Sequence, residues 1–202
     1  MIHRDMPPSS PRPQDTPLQR FGATLRQYRQ LRGLSQPALA ARTGIRHQYL
    51  SQIEQGRRNI AVLALLRIAH ALEIPAAWLL AQLDTHTTMA PPAHADLLPS
   101  KGARDAAVPH NATPFLQPVD PATLLPLLGA TLRHYRQQLG LTHKALAART
   151  GLTPTYIGEI ERGRRNLSVL SLVRIADALR LSVAHLLAPL ETHQRSSSPL
   201  LE

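Results

Sequence analysis

The sequence predicts an all-α fold, two tandem copies of one small five-helix bundle joined by a proline-rich linker. Three observations carry that prediction. Residues 22–80 return as residues 129–187 at a constant offset of 107, without a gap, and 35 of the 59 aligned positions are identical. A duplicated stretch of that length is a folding unit in its own right. Within each copy apolar residues recur at three- and four-residue steps, as one buried helix face requires, and no run alternates as a strand would. Between the copies, residues 87–121 hold seven prolines and no apolar periodicity, the composition of a linker.

The expected organisation follows: a disordered N-terminal tail at 1–17, a first unit at 18–86, a flexible linker at 87–121, a second unit at 122–193 and a C-terminal tail at 194–202. In the first unit Phe21, Leu25, Tyr28 and Leu31 form the buried face of helix one, which Gly33 ends. Ser35 caps helix two, with Leu39 and Ala40 inward. Thr43-Gly44 breaks it, because glycine tolerates the positive φ of a sharp turn. Helix three is expected from about Arg46 to Gln55, burying Tyr49, Leu50 and Ile53. Gly56 stops it, and Arg57-Arg58-Asn59 form an exposed basic loop. Helix four runs over about 62–72, and Pro75 opens a short fifth helix to about Leu83. The run at 124–130 leads into the first helix of copy two and is too short for a membrane span.

Composition narrows the function. The chain has no cysteine, so helix packing must hold each copy without disulfides or thiolate metal sites. The first ten residues carry charges and prolines where a signal peptide has an apolar stretch, and no apolar run reaches membrane-spanning length. The expected location is cytoplasmic, at the nucleoid. The net charge is +10, of which +6 lies on residues 18–86, +5 on residues 122–193 and −1 elsewhere. Charge concentrated on the folded copies points to a polyanionic partner. Catalysis is not expected, since the chain has no glycine-rich phosphate loop, no nucleophile motif and no metal-ligand spacing. No cofactor and no metal are expected either. Stacking on single strands needs exposed aromatics, and Tyr28, Tyr49, Tyr135 and Tyr156 recur at packing positions.

Helix two, a short glycine turn and helix three make a helix-turn-helix. Ala40 is small where the helices cross, Gly44 turns the chain, and Ile45 and Ile53 anchor the third helix. Ala147, Gly151, Leu152 and Ile160 repeat the set in copy two. The segments SQPALAARTGIRHQYLSQIEQGRRN and THKALAARTGLTPTYIGEIERGRRN, each followed by a V-L-x-L-x-R-I-A-x-A-L type of helix, resemble the DNA-binding domain of the Xre/Cro phage-repressor family. The resemblance covers both copies and implies a lambda-repressor-like fold. It also implies a double-stranded DNA partner, with helix three in the major groove of each half-site.

On that reading Arg46, His47, Gln48, Ser51 and Gln52 are the base-reading positions of copy one. Gln36, Arg57 and Arg58 are placed for phosphates. In copy two the base-reading set is Thr153, Thr155 and Glu159, with Pro154 and Gly158 also outward. His143, Arg164 and Arg165 face the backbone. The copies are expected to read different half-sites, copy one the more strongly; the rival is that copy two is a clamp or docking module. Family resemblance pairs Arg29 with Glu54 and Arg136 with Glu161 as structural ion pairs. The 35 linker residues have a root-mean-square reach of about 30–35 Å. That reach suits successive half-sites about 34 Å apart. The function expected is a sequence-specific transcriptional regulator, read as a repressor. The alternative is a protein-interaction module of the anti-repressor or antitoxin-like kind. Trp78, Leu63 and Leu170, on helices four and five, are the candidate surface for a homodimer or protein partner.

Overall fold

A computed structural model describes residues 16–84, 86 and 120–196; the expected linker, most of the N-terminal tail and the last residues lie outside them. Ten helices follow in order among the described residues: α1 Pro17–Leu31, α2 Gln36–Thr43, α3 His47–Glu54, α4 Val62–Ala71 and α5 Ala76–Leu80, then α6 Pro121–Gln138, α7 His143–Thr150, α8 Pro154–Glu161, α9 Val169–Ala178 and α10 Val183–Ser196. No strand occurs among them, and the all-α expectation holds. Helix ends cut across the expected boundaries. Thr16 caps α1 with a reciprocal Gln19 bond, Asp120 caps α6, and α10 runs on to Ser196. Thr and Asp side chains satisfy first-turn N–H groups that the proline count had concealed.

In the first copy α1 lies against α3, with Leu25, Leu39, Leu50, Ile53, Leu65 and Leu66 fully buried, and in the second α6 lies against α8 in the same way. The crossing of α1 on α3 depends on a glycine. A Cβ on Gly22 would sit 2.5 Å from the Ile53 carbonyl oxygen and 2.6 Å from that of Glu54, and Gly129 meets Ile160 and Glu161 in the same way. Gly44 and Gly151, at φ 66° and 69°, make the left-handed turn into the third helix of each copy.

The copies are docked, which replaces the expectation of two bundles separated by the span of a random tether. Their contact is two-fold in pattern, and the hydrogen bonds prove it by number. Val62 N–H donates to Leu167 O at 2.9 Å while Val169 N–H donates to Ile60 O at 2.8 Å. Leu63 N–H reaches Asn166 Oδ1 at 3.4 Å and Leu170 N–H reaches Asn59 Oδ1 at 3.3 Å. Ala76 N–H donates to Glu191 Oε1 and Val183 N–H to Asp84 Oδ2, both at 2.7 Å. Each bond maps onto its mate when 107 is added to one residue and subtracted from the other. The isolated bridge Ala61–Ser168 maps onto itself and so marks the pseudo-two-fold axis. This is an isologous interface built within one chain. Its polar bonds do a definite job: Asp84 and Glu191 each satisfy an N–H that the first turn of the other copy's last helix leaves open.

Leu63 is buried and Leu170 half-buried at this contact, so the apolar surface expected to await a partner is used by the other copy. Trp78 is half-buried and stacked on Tyr28 with ring centroids 6.4 Å apart. Its helix α5 also packs against α10 of the other copy.

Candidate nucleic-acid interface

The third helix of each copy starts at a left-handed glycine and stops in a second one, Gly56 or Gly163, both at φ 69°. Between those ends one side is anchored by Leu50 and Ile53, or by Ile157 and Ile160, all buried. The opposite side is open. Arg46 stands at the N-cap of α3, and Arg46, His47 and Gln48 are exposed, with Ser51 and Gln52 half-exposed one turn on. Ile45, Arg46, Gln48, Tyr49, Gln52 and Arg58 line one open concavity on this side. In copy two Thr153 caps α8 by accepting from Tyr156 N–H. Thr153, Pro154 and Thr155 are exposed and Glu159 is half-exposed. Arg57, Arg58, Arg164 and Arg165 are exposed in the loops that follow.

Behind this face sits a buried ion pair. Arg29 Nε lies 2.6 Å from Glu54 Oε1 and Nη2 lies 3.0 Å from Oε2, a bidentate fork, while Nη1 donates to Leu34 O at 2.7 Å. Copy two repeats it: Arg136 Nε and Nη2 reach Glu161 at 2.6 and 2.9 Å, and Nη1 reaches Leu141 O. Both pairs are at least nine-tenths buried at their side chains. The fork ties α1, the turn after it and the last residue of α3 into one unit, and so sets the angle at which the third helix is presented. Burial pushes the Glu161 carboxyl up, but hydrogen bonds from Arg136 and His143 outweigh it and hold it below the usual carboxylate range.

Gln36 and His143 are drawn into the same unit. Gln36 Nε2 donates to Glu54 Oε2 at 2.7 Å, and His143 Nε2 lies 2.9 Å from Glu161 Oε2. Both are expected among phosphate contacts from sequence, and in the folded chain one side-chain nitrogen of each completes the shell of a buried glutamate. A buried carboxylate with a free lone pair outcompetes solvent for the nearest donor.

The loop arginines are also engaged from behind. Arg58 Nε donates to Gln52 Oε1 at 2.8 Å, and Arg165 Nε donates to Glu159 Oε2 at 2.7 Å. Glu159, among the base-reading positions expected from sequence, has one carboxylate oxygen bonded to the Arg165 guanidinium. Because Arg58 and Arg165 stand three residues from Ala61 and Ser168, they flank the pseudo-two-fold axis. Arg162 was not singled out from sequence at all. Its guanidinium lies across Gly158: a Cβ there would be 3.4 Å from both Nη1 and Nη2. The signal available was the seven-residue step from Thr155 to Arg162, which returns to the same side of a helix.

An exposed helix face followed by a basic loop, presented twice about a two-fold axis, is what a helix-turn-helix pair uses to address duplex DNA. Comparison with known proteins agrees with that class. Residues 25–79 and 132–186 each match the helix-turn-helix family HTH_3. The chain belongs to this family of transcriptional regulators and carries its domain twice. It is 38% identical over 63 residues to y4dJ, a helix-turn-helix-type transcriptional regulator of Sinorhizobium fredii, covering 31% of this chain and 82% of that protein. It is 41% identical over 61 residues to the control protein C.SmaI of Serratia marcescens, covering 30% of this chain and 73% of that one. Among solved structures it is similar to the restriction-modification controller protein C.AhdI of Aeromonas hydrophila. Identity there is 37%, coverage 32% of this chain and 97% of that one, and the TM-score 0.31. Among the described residues no group of three His, Cys, Asp or Glu could hold a metal, and no helix is long and apolar enough to cross a membrane.

Proposed function

We propose that the chain is a sequence-specific repressor that binds one double-stranded operator as a single-chain pseudo-dimer. In this reading α3 enters the major groove of one half-site and α8 that of the next. The observation that carries it is the reciprocal hydrogen bonding about Ala61–Ser168, which fixes two outward-facing third helices in one two-fold arrangement. Half-sites one turn apart then need no second chain. The two similar curated relatives match over one unit's length, and the second unit here takes the place of a second subunit.

The two faces differ in chemistry, so the operator need not be a palindrome. Arg46 can bridge guanine N7 and O6, and Gln48 can bridge adenine N6 and N7. Gln52 holds Arg58 and offers its amide alongside. Arg57 and Arg164 are placed for phosphates on either side of the axis, and Thr153 and Thr155 for bases of the second half-site.

In-vitro selection from a random duplex pool tests this with the whole chain. Arg46→Ala with Gln48→Ala is expected to erase about two specified positions in one half-site only, each by about 1–3 kcal/mol. Thr155→Ala is expected to act on the other half-site alone. A selected sequence that Arg46→Ala leaves untouched contradicts base reading by α3. Affinity for duplex that stays level as salt rises from about 50 to 200 mM contradicts a phosphate-bound complex and favours the protein-partner alternative.

A further inference from the structure

On its outward face copy two has a glycine where copy one has a hydroxyl. Gly158 is the counterpart of Ser51, at the offset of 107. Its φ is not in the left-handed region, so the backbone does not call for glycine. Glycine inside a helix lowers its stability relative to alanine, so the position carries a cost that the local conformation does not explain. What the missing side chain leaves is room, and Arg162 fills it. The guanidinium Nη1 and Nη2 lie 3.4 Å, and Cζ 3.7 Å, from where a Cβ would stand. Gly158 is buried although its helix face points outward.

The direction of the side chain follows from helix geometry. Residues 155, 158, 159 and 162 share one face, and long side chains lean back toward the helix N-terminus. Arg162 at the C-cap therefore reaches over Gly158 toward the exposed Thr155. In copy one the equivalent residue is the shorter Gln55, whose Nε2 donates to Ser51 Oγ at 3.1 Å. The neighbouring cation is differently placed: Arg165 is held by Glu159, whereas no carboxylate among the described residues pairs with Arg162.

We propose that Arg162 is the specificity-determining residue of copy two, its guanidinium laid over Gly158 to bridge N7 and O6 of a guanine in the second half-site. The assignment rests on α8 facing the major groove, as above. Glu159 is then a positioning residue that keeps Arg165 beside the axis, so the two guanidinium groups do not compete for one base. A guanidinium fork over the middle of the helix face meets base edges, while Arg164, in the loop, meets the backbone.

The test is selection on random duplex with the full chain, its Arg162→Gln variant and its Arg162→Lys variant. Arg162→Gln installs the residue copy one carries at an exposed position. It is expected to lose one guanine in the second half-site, about a 10- to 100-fold change in discrimination, and to leave the first half-site unaltered. Arg162→Lys keeps the charge but lacks the fork, so it is expected to recover affinity without recovering the guanine. An evenly weakened Arg162→Gln with every position intact, rescued by lysine, overturns the assignment in favour of a phosphate contact. A second half-site present and unchanged by Arg162→Gln overturns the Arg162 assignment alone. Wild-type selection with no second half-site overturns it together with the reading of α8.

Discussion

Inserting about five base pairs between the two half-sites, half a helical turn, will lower the affinity of the whole chain by about 10²–10⁴-fold, to that of one half-site alone. The expectation comes from docking. If the copies hung on a random tether, the second would search a volume about 30–35 Å across and would follow a displaced half-site with little loss. Docked copies cannot follow it. The backbone bonds at Ile60–Val169 and Val62–Leu167, with Asn59, Asn166, Asp84 and Glu191 accepting across the contact, fix the orientation of α8 relative to α3. Half a turn puts the second major groove on the far side of the duplex, and the contact energy of one whole copy is forfeited. Titration of labelled duplexes by fluorescence anisotropy at fixed salt measures the loss. Affinity that survives the insertion within a few-fold would mean that the copies part in solution.

Glu54→Ala is expected to destabilise the protein by about 3–5 kcal/mol, because it strands a buried guanidinium rather than deleting a harmless contact. Arg29 would keep only its bond to Leu34 O, with Nε and Nη2 facing the void left by the carboxylate. Gln36 would lose its acceptor as well. Urea titration of the full chain reads the change as a shifted midpoint. A loss of less than about 1 kcal/mol would place the pair in the class of solvated surface bridges. Acid attacks the equivalent pair in copy two. The Glu161 carboxyl titrates below its ordinary value of 4.5 in the folded state, because Arg136 and His143 together overcome its burial. Its contribution is therefore complete above that ordinary value and is lost as pH falls through the lowered folded one. Melting curves should show copy two weakening in that acid range.

Much of the fold was legible in sequence because its causes are local. The repeat, the apolar spacing of Leu25, Tyr28, Leu50 and Ile53, and the turn glycine Gly44 each act within a few residues of where they stand. The docking was not legible. Nothing about Asp84 in the sequence marks it as the cap of a helix starting at Val183, because the match exists only once both copies have folded. Leu63 and Leu170 did stand out as surplus apolar surface, yet their partner could not be told from a second chain. Within the site, exposure of Arg46 and Gln48 followed from helix period alone. Which side chains are already engaged did not: Gln36, His143 and Glu159 look free in a helical projection and are held by neighbours across a turn or on another helix. Arg162 is not legible because it lies beyond the last turn of the helix, and a glycine in sequence gives no sign of the side chain that fills its place.

In the proposed complex one chain addresses two half-sites. Footprinting at saturation, joined to the mass of the complex from analytical ultracentrifugation, tests it most directly. Protection of two adjacent half-sites by one chain per duplex is the expected result. One protected half-site, or two half-sites filled only by two chains, would contradict it.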